Sequence, residues 1–271
     1  MTWRGVIAVV VLLTAFMVAG FAARRRDPRI HYVGVPDGAA GCIARYVAGE
    51  KMGKSVIRTI RFEPYTLYDC CASASQYALG SGRLDMAVLC PEAALALVQK
   101  DPRYIIAGPV IYNADVLVMR PQATGGETTV AVSQKRNQQR RLVRYRLGRR
   151  GRPVPMLHSA VPFAYARGVV QGAVVDIVKA LRLPGTMPPP NLTEKEEATY
   201  VLVVRKAVQD SPQYRRFMAS YDQAVHETQN LDVLLHLLKT YVNADIIMGD
   251  VETWQKMNVR FASPLSNHRP G

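Results

Sequence analysis

The chain has few cysteines, no internal repeat, and over one long stretch no acid at all. Its four cysteines, Cys42, Cys70, Cys71 and Cys90, are too few for a disulfide-built scaffold in a chain long enough to bury a core without one. None lies near the end of the N-terminal apolar run, which leaves lipid attachment through a cysteine unsupported. The five histidines, His31, His158, His226, His236 and His268, share no metal-ligand spacing, and no zinc signature occurs. Zinc-finger spacing and RNA-binding aromatic motifs are missing as well, so nucleic acid is not expected as a partner. Between Glu127 and Asp176 there is no acidic residue, while Lys135, Arg136, Arg140, Arg141, Arg144, Arg146, Arg149, Arg150 and Arg152 form a basic block. Charge runs are usually solvated, so this block reads as an exposed helix and loop; the functional alternative is a docking surface for anionic lipid or a partner protein.

What is present fits an exported α/β protein. Length allows about two domains, and 49% hydrophobic residues support a packed core. A formal net charge of +14 favours anionic partners, such as lipid headgroups or acidic ligands. Val6 to Ala23 is an apolar run of 18 residues between Arg4 and Arg24-Arg25-Arg26. It reads either as a cleavable signal peptide, with Gly20-Phe21-Ala22 at the cut, or as an uncleaved anchor at the lower length limit for spanning a bilayer. The arginine triplet prefers the cytoplasmic side and Arg4 pulls the other way. Export makes disulfides a standing alternative for the cysteines, for example Cys42–Cys71. A direct Cys70–Cys71 bridge would close a strained, easily reduced ring.

Along the chain, Ile30–Pro36 reads as a strand, Asp37-Gly38 as a turn, and Ala39–Lys51 as an amphipathic helix holding Cys42. Val56–Phe62 alternates as a second strand. Asp69 can cap a helix from Cys70 to Leu79 that stops at Gly80-Ser81-Gly82. Leu84–Leu89 reads as a buried strand, Pro91–Gln99 as a helix, and Tyr104–Ile111 and Val116–Met119 as strands. This alternation predicts a mostly parallel α/β lobe. Tyr112-Asn113-Ala114-Asp115 looks like a crossing to a second lobe. There Val130–Val132 and Met156–His158 are expected as strands, and Gln138–Leu147 and Val169–Leu181 as helices. Tyr200–Val204 reads as a strand leading back, followed by helices at Pro212–Gln229, Asp232–Tyr241 and Val251–Lys256. Cys70, Cys71 and Cys90 stand where strands end and helices begin, the place at which open α/β sheets bind ligands.

The stretches Ser81-Gly82-Arg83-Leu84-Asp85-Met86-Ala87-Val88, Gly172-Ala173-Val174-Val175-Asp176, Tyr200–Arg205 with Ser211–Phe217, and Val251-Glu252-Thr253-Trp254 to Phe261 resemble the substrate-binding proteins of ABC importers. The resemblance covers residues 30–264 and is to the nitrate, sulfonate and thiamine-precursor group. The Cys70-Cys71 pair is also similar to the substrate-binding (seleno)proteins of selenocysteine-assisted organometal systems, of which this would be an all-cysteine form. The resemblance implies an α/β, bilobal periplasmic-binding-protein fold (type II), two α/β lobes joined by a hinge with a ligand cleft between them. Residues 1–29 would be the signal peptide or anchor with a basic linker, 30–115 and 206–264 lobe 1, 116–205 lobe 2, and 265–271 a tail.

On that topology the expected ligand-binding residues are Asp37, Gly38, Tyr68, Asp69, Cys70, Cys71, Cys90, Tyr112, Asn113, Ser133 and Ser159. Gln134, His158, Val161 and Pro162 lie nearby. Cys70 and Cys71 at a helix start would have lowered thiol pKa values, and with Cys90, and at the margin Cys42, could hold a thiophilic metal or organometal species. The alternatives are structural disulfides or inert packing of the cysteines. If arginines of the basic block instead face the cleft, an anionic ligand such as a sulfonate is the better reading. The resemblance implies no cofactor and no catalysis, ABC permease and ATPase subunits as partners, a small-molecule ligand, and a periplasmic or cell-surface location in contact with the membrane. A cysteine-dependent enzyme on the same fold would need a thiol beside a base, for which only His158 is placed. A membrane-anchored sensor that signals to a partner chain is the third reading.

Overall fold

The computed structural model describes residues 30–51, 61–67, 73–121, 126–187, 197–242 and 245–264. The expected N-terminal anchor, the helix start at Asp69–Cys71 and the 265–271 tail lie outside the described residues.

Strand β1 (Ile30–Pro36) is buried over its last four residues. A 3₁₀ turn (Ala39–Gly41), α1 (Cys42–Tyr46) and a π-helical turn (Val47–Lys51) follow it as one helical run, as the amphipathic pattern predicts. Then come β2 (Arg61–Leu67), α2 (Ser73–Gly80), β3 (Met86–Leu89), α3 (Pro91–Lys100) and β4 (Tyr104–Tyr112). Proline in the first turn and Glu92 beside it start α3, where a missing N–H costs nothing and a carboxylate meets the positive helix end. The second lobe runs β5 (Asp115–Met119), β6 (Thr128–Ser133), α4 (Asn137–Leu147), β7 (Gly151–Met156), α5 (Val161–Ala166), β8 (Gly172–Asp176) and α6 (Ile177–Ala180). The chain returns through β9 (Ala198–Arg205) to α7 (Lys206–Gln209), α8 (Pro212–Glu227), α9 (Leu231–Tyr241), α10 (Met248–Lys256) and β10 (Arg260–Phe261).

Two sheets result, a six-stranded one in the order β10-β4-β9-β3-β1-β2 and a four-stranded one in the order β5-β8-β6-β7. The first sheet is mixed rather than mostly parallel: β1 and β3 are parallel, but β9 runs antiparallel between β3 and β4. Alternation of strands and helices along the chain cannot report an insertion made by a strand almost a hundred residues downstream. For the same reason β9, assigned above to the second lobe as part of 116–205, pairs in the first sheet. Its residues Tyr200–Val204 are buried on both faces, as are Met86–Leu89 of β3. Each fully buried Val or Leu there contributes about 1.5–3 kcal/mol.

The expected helix Val169–Leu181 is instead β8 followed by the short α6. Gly172 to Asp176 are all buried, with sheet neighbours on both edges. A continuous apolar run carries no period by which to tell a strand from a helix. The β-branched Val174 and Val175 and the tight approach at Gly172, where a Cβ would come within 2.6 Å of Met119 Sδ, are what a strand requires. Of the second strand expected at Val56–Phe62, residues 56–60 lie outside the described residues and Arg61 and Phe62 open β2; the third second-lobe strand ends at Met156, before His158.

At the closed end of the first sheet, Asp85 is fully buried. Its carboxylate accepts from Arg205 Nη2 at 2.5 Å, from the Tyr32 N–H at 3.2 Å, and meets His31 Nδ1 at 3.1 Å. This knot joins β1, the start of β3 and the end of β9.

Candidate functional site

Both sheets turn their carboxyl ends to the same place. Parallel β1 and β3 deliver Asp37 and Cys90 at one edge of the first sheet. β4 delivers Tyr112 there, and β9 begins there. In the second sheet, parallel β6, β7 and β8 deliver Ser133, His158 and Asp176 at their common end. The two crossings between lobes leave from this edge. Asn113 takes a left-handed φ of 57°, its N–H donates to Glu197 O at 3.3 Å, and the Ala114 N–H donates to Thr199 Oγ1 at 2.9 Å.

A chain of polar groups crosses the junction. Lys179 Nζ lies 3.0 Å from Asp37 Oδ2 and 3.2 Å from His158 Nε2, and His158 Nδ1 lies 2.9 Å from Ser133 Oγ. An ammonium only donates, so Nε2 accepts from Lys179 and the proton on Nδ1 is given to Ser133 Oγ. That order leaves Ser133 as an acceptor and His158 as no base toward it. The ion pair is partly open to solvent, Asp37 being 41% and Lys179 28% exposed, and pairs of this kind are worth about 0.2–1 kcal/mol. An entering group can replace Asp37 at Lys179 at small cost.

Asp176 sits beneath this chain, buried, and caps α6 by accepting from the Val178 N–H at 3.0 Å. It also accepts from Ala39 N–H across the junction at 3.4 Å. Burial raises its carboxyl pKa to about 7, against the opposing pull of Lys179 and the two N–H groups. Gly38, at a φ of 94°, makes this approach feasible, because a Cβ there would stand 2.9 Å from Asp176 Oδ1. A side chain would thus meet both an unfavourable backbone region and the carboxylate.

A second seam holds the hinge side. Glu92 Oε1 accepts from the Gln138 N–H at 2.8 Å, and Gln138 Nε2 donates to Ala198 O at 3.0 Å. Arg136 is 1% exposed. It donates to Asp115 Oδ2 at 2.5 Å and Tyr200 OH at 3.2 Å, and lies 5.0 Å from the Tyr200 ring centre. It is therefore a hinge anchor rather than a ligand group. Lys135, Arg141, Arg144, Arg149, Arg150 and Arg152 of the basic block are exposed, as expected, and do not enter the junction.

Of the residues expected at a ligand, the structure brings Asp37, Gly38 and Ser133 together at the junction. Cys90 is buried at the start of α3 on the same edge. Ser159 is exposed in the 3₁₀ turn after β7, with Gln134 exposed nearby, Val161 buried and Pro162 half-buried. Asn113 Nδ2 donates to Asn258 O at 2.9 Å, and the Arg260 guanidinium lies 4.3 Å from the Tyr112 ring centre, so both side chains are committed to the hinge and the β10 edge. Tyr68, Asp69, Cys70 and Cys71 lie outside the described residues. Cys42 is not at the junction: its thiol is buried on α1, donates to Leu237 O at 3.5 Å, and is pushed up to about 12 by burial. Burial therefore favours the neutral thiol over the thiolate that binds metals. Among the described residues, no three metal-ligating side chains cluster, and no helix is long and apolar enough to cross a membrane. Sequence reasoning missed Lys179 and Asp176, whose signal, a polar residue directly after a β-branched run, was hidden by reading the segment as helix.

No family model matches the chain, and no curated protein is similar to it in sequence. Its fold is shared with solved structures. The alkanesulfonate-binding protein from Xanthomonas axonopodis pv. citri bound to MOPS is 10% identical, with a TM-score of 0.63 over 88% of each chain. The periplasmic aliphatic sulphonate binding protein from Escherichia coli is 11% identical, with a TM-score of 0.61 over 87% of this chain and 82% of that one. The zinc-bound ligand-binding component of an ABC-type import system from Staphylococcus aureus is 14% identical, with a TM-score of 0.62 over 87% and 86%. The architecture is that of bilobal type II periplasmic binding proteins.

Proposed function

We propose that the chain is the extracytoplasmic substrate-binding component of an ABC importer, and that it captures a small anion between its lobes without chemistry on it. The observation that carries this reading is the convergence of Lys179, His158 and Ser133 from one lobe on Asp37 from the other, at the facing carboxyl ends of the two sheets. Ligands of open α/β sheets bind at such an edge, and lobes joined by two crossings can close on them like a hinge. An ammonium and a hydroxyl are donors suited to a carboxylate or sulfonate, and Asp37 holds the place of that anion at Lys179. The sulfonates in the names of two structural neighbours belong to the same chemical class. Export through the segment Val6–Ala23, and permease and ATPase partners, follow from this reading. A cysteine enzyme is disfavoured, since both His158 nitrogens are engaged and Cys42 is held protonated.

A thiol-held ligand is the second reading. Cys90 leaves β3 at the junction edge, and Cys70 and Cys71 stand in sequence one residue before α2. A thermal-shift panel of alkanesulfonates, nitrate, phosphate and methylmercury separates the two. The anion reading expects stabilisation by one anion that Lys179→Met abolishes and Cys70→Ser/Cys71→Ser leaves intact. Stabilisation by methylmercury alone, lost in the double serine variant and unchanged in Lys179→Met, would replace it with the thiol reading.

A further inference from the structure

The second lobe carries a surface that the cleft does not use. From residue 128 to residue 175 the chain has ten basic residues and no acid. Arg136 is buried against Asp115, but Arg141 and Arg152 are 58% and 55% exposed, and Arg144, Arg149 and Arg150 are exposed beside them. These residues share one continuous surface of α4, the turn after it and β7, the outer strand of the second sheet. Two pairs to acids are exposed, Arg141–Glu197 at 3.3 Å and Arg152–Glu127 at 2.9 Å. Pairs of this kind hardly neutralise the face. Tyr145, 56% exposed, stands among the arginines.

The strand edge itself is closed to another strand. Pro153 and Pro155 on β7 have no N–H to donate, and the exposed Arg152 precedes them on the same strand. What the face offers is charge, with one amphipathic ring of the type enriched at membrane interfaces. The same chain begins with an apolar run of 18 residues ending in three arginines. A hydrophobic segment together with a basic patch is the pairing of two signals that keeps a protein at a bilayer.

We propose that the α4–β7 face docks on an anionic phospholipid bilayer, so that the second lobe rests on the membrane with the cleft turned away from that contact. The proposal is independent of the ligand reading and can fail without it. The test is hydrogen exchange of peptides covering residues 137–156 in the full chain. It compares vesicles of phosphatidylcholine with vesicles of phosphatidylcholine and phosphatidylglycerol at 7:3, at low and at high salt. Exchange at least threefold slower on the anionic vesicles is expected. High salt and the variant R144E/R149E/R150E should each abolish the slowing. Equal exchange on both vesicles overturns the proposal, as does slowing that survives charge reversal. Slowing by duplex DNA or polyglutamate with none on anionic vesicles overturns it too, and assigns the face to a macromolecular polyanion.

Discussion

Two buried aspartates, one at each end of the α/β framework, face opposite conditions. Asp85, at the closed end of the first sheet, is paired with Arg205 and His31 and accepts a backbone N–H. Asp176, at the carboxyl edge of the second sheet, has no cation within ion-pair distance among the described residues and relies on two N–H groups, one of them contributed at 3.4 Å by the other lobe. The first arrangement is complete within one lobe and serves as a fixed knot. The second is completed only when the lobes meet, and its carboxyl pKa is correspondingly raised to about 7 by burial. The difference separates an end held together within one lobe from an end where the two lobes meet.

Breaking the fixed end should have the largest effect. Arg205→Met removes the guanidinium from the buried Asp85 carboxylate, which keeps His31 and the Tyr32 N–H, and losing one partner of a buried pair costs up to about 3–5 kcal/mol. Urea denaturation should show that loss without change in the slope of the transition.

The movable end is sharpened by pH. Asp176 titrates near 7 in the folded chain against an ordinary 3.8, so its folded pKa is raised. Its contribution to stability is then full below about 3.8 and is lost as pH rises to 7. A shift of this size is worth on the order of 4 kcal/mol across that window. Asp176→Asn, which cannot ionise, should show no such loss. The unfolding free energy of the wild type should therefore fall relative to the variant between pH 4 and pH 7, measured by denaturation at matched ionic strength.

Gly38→Ala attacks the same contact from the first lobe. A residue with a Cβ in this positive-φ, extended region costs about 1–3 kcal/mol, and here the Cβ also presses on Asp176. Weaker ligand binding with a small loss of melting temperature is expected, checked by titration calorimetry and a melting curve. The smallest effect on stability belongs to Lys179→Met, below about 1 kcal/mol because its pair with Asp37 is partly solvated.

Much of this contrast can be read in the sequence. Asp37-Gly38 after an apolar strand marks the turn at the cleft, the Asn113 break marks the crossing, and Ser133 follows a short β-branched run. The basic block reads correctly as solvated at six of its nine positions; Arg140 and Arg146 are half-buried, and Arg136 is buried against Asp115 and Tyr200 from two other strands. The misreadings have two causes, neither of them visible in local sequence. Val169–Leu181 lacks periodicity because neighbours cover both faces of β8, and the insertion of β9 between β3 and β4 is a long-range pairing with no local trace. Lys179 and Asp176 were hidden by the first of these. Cys42 falls in the first turn of a helix, as expected, yet its surroundings on α8 and α9 hold it in an apolar core.

Calorimetric titration of an alkanesulfonate into the wild type and into Lys179→Met at pH 7 asks whether the anion binds at the Asp37–Lys179 junction. One site per chain is expected, with binding at least tenfold weaker in the variant and melting temperatures nearly equal. Equal affinity in the two proteins would place the anion away from the Asp37–Lys179 junction and contradict the anion reading.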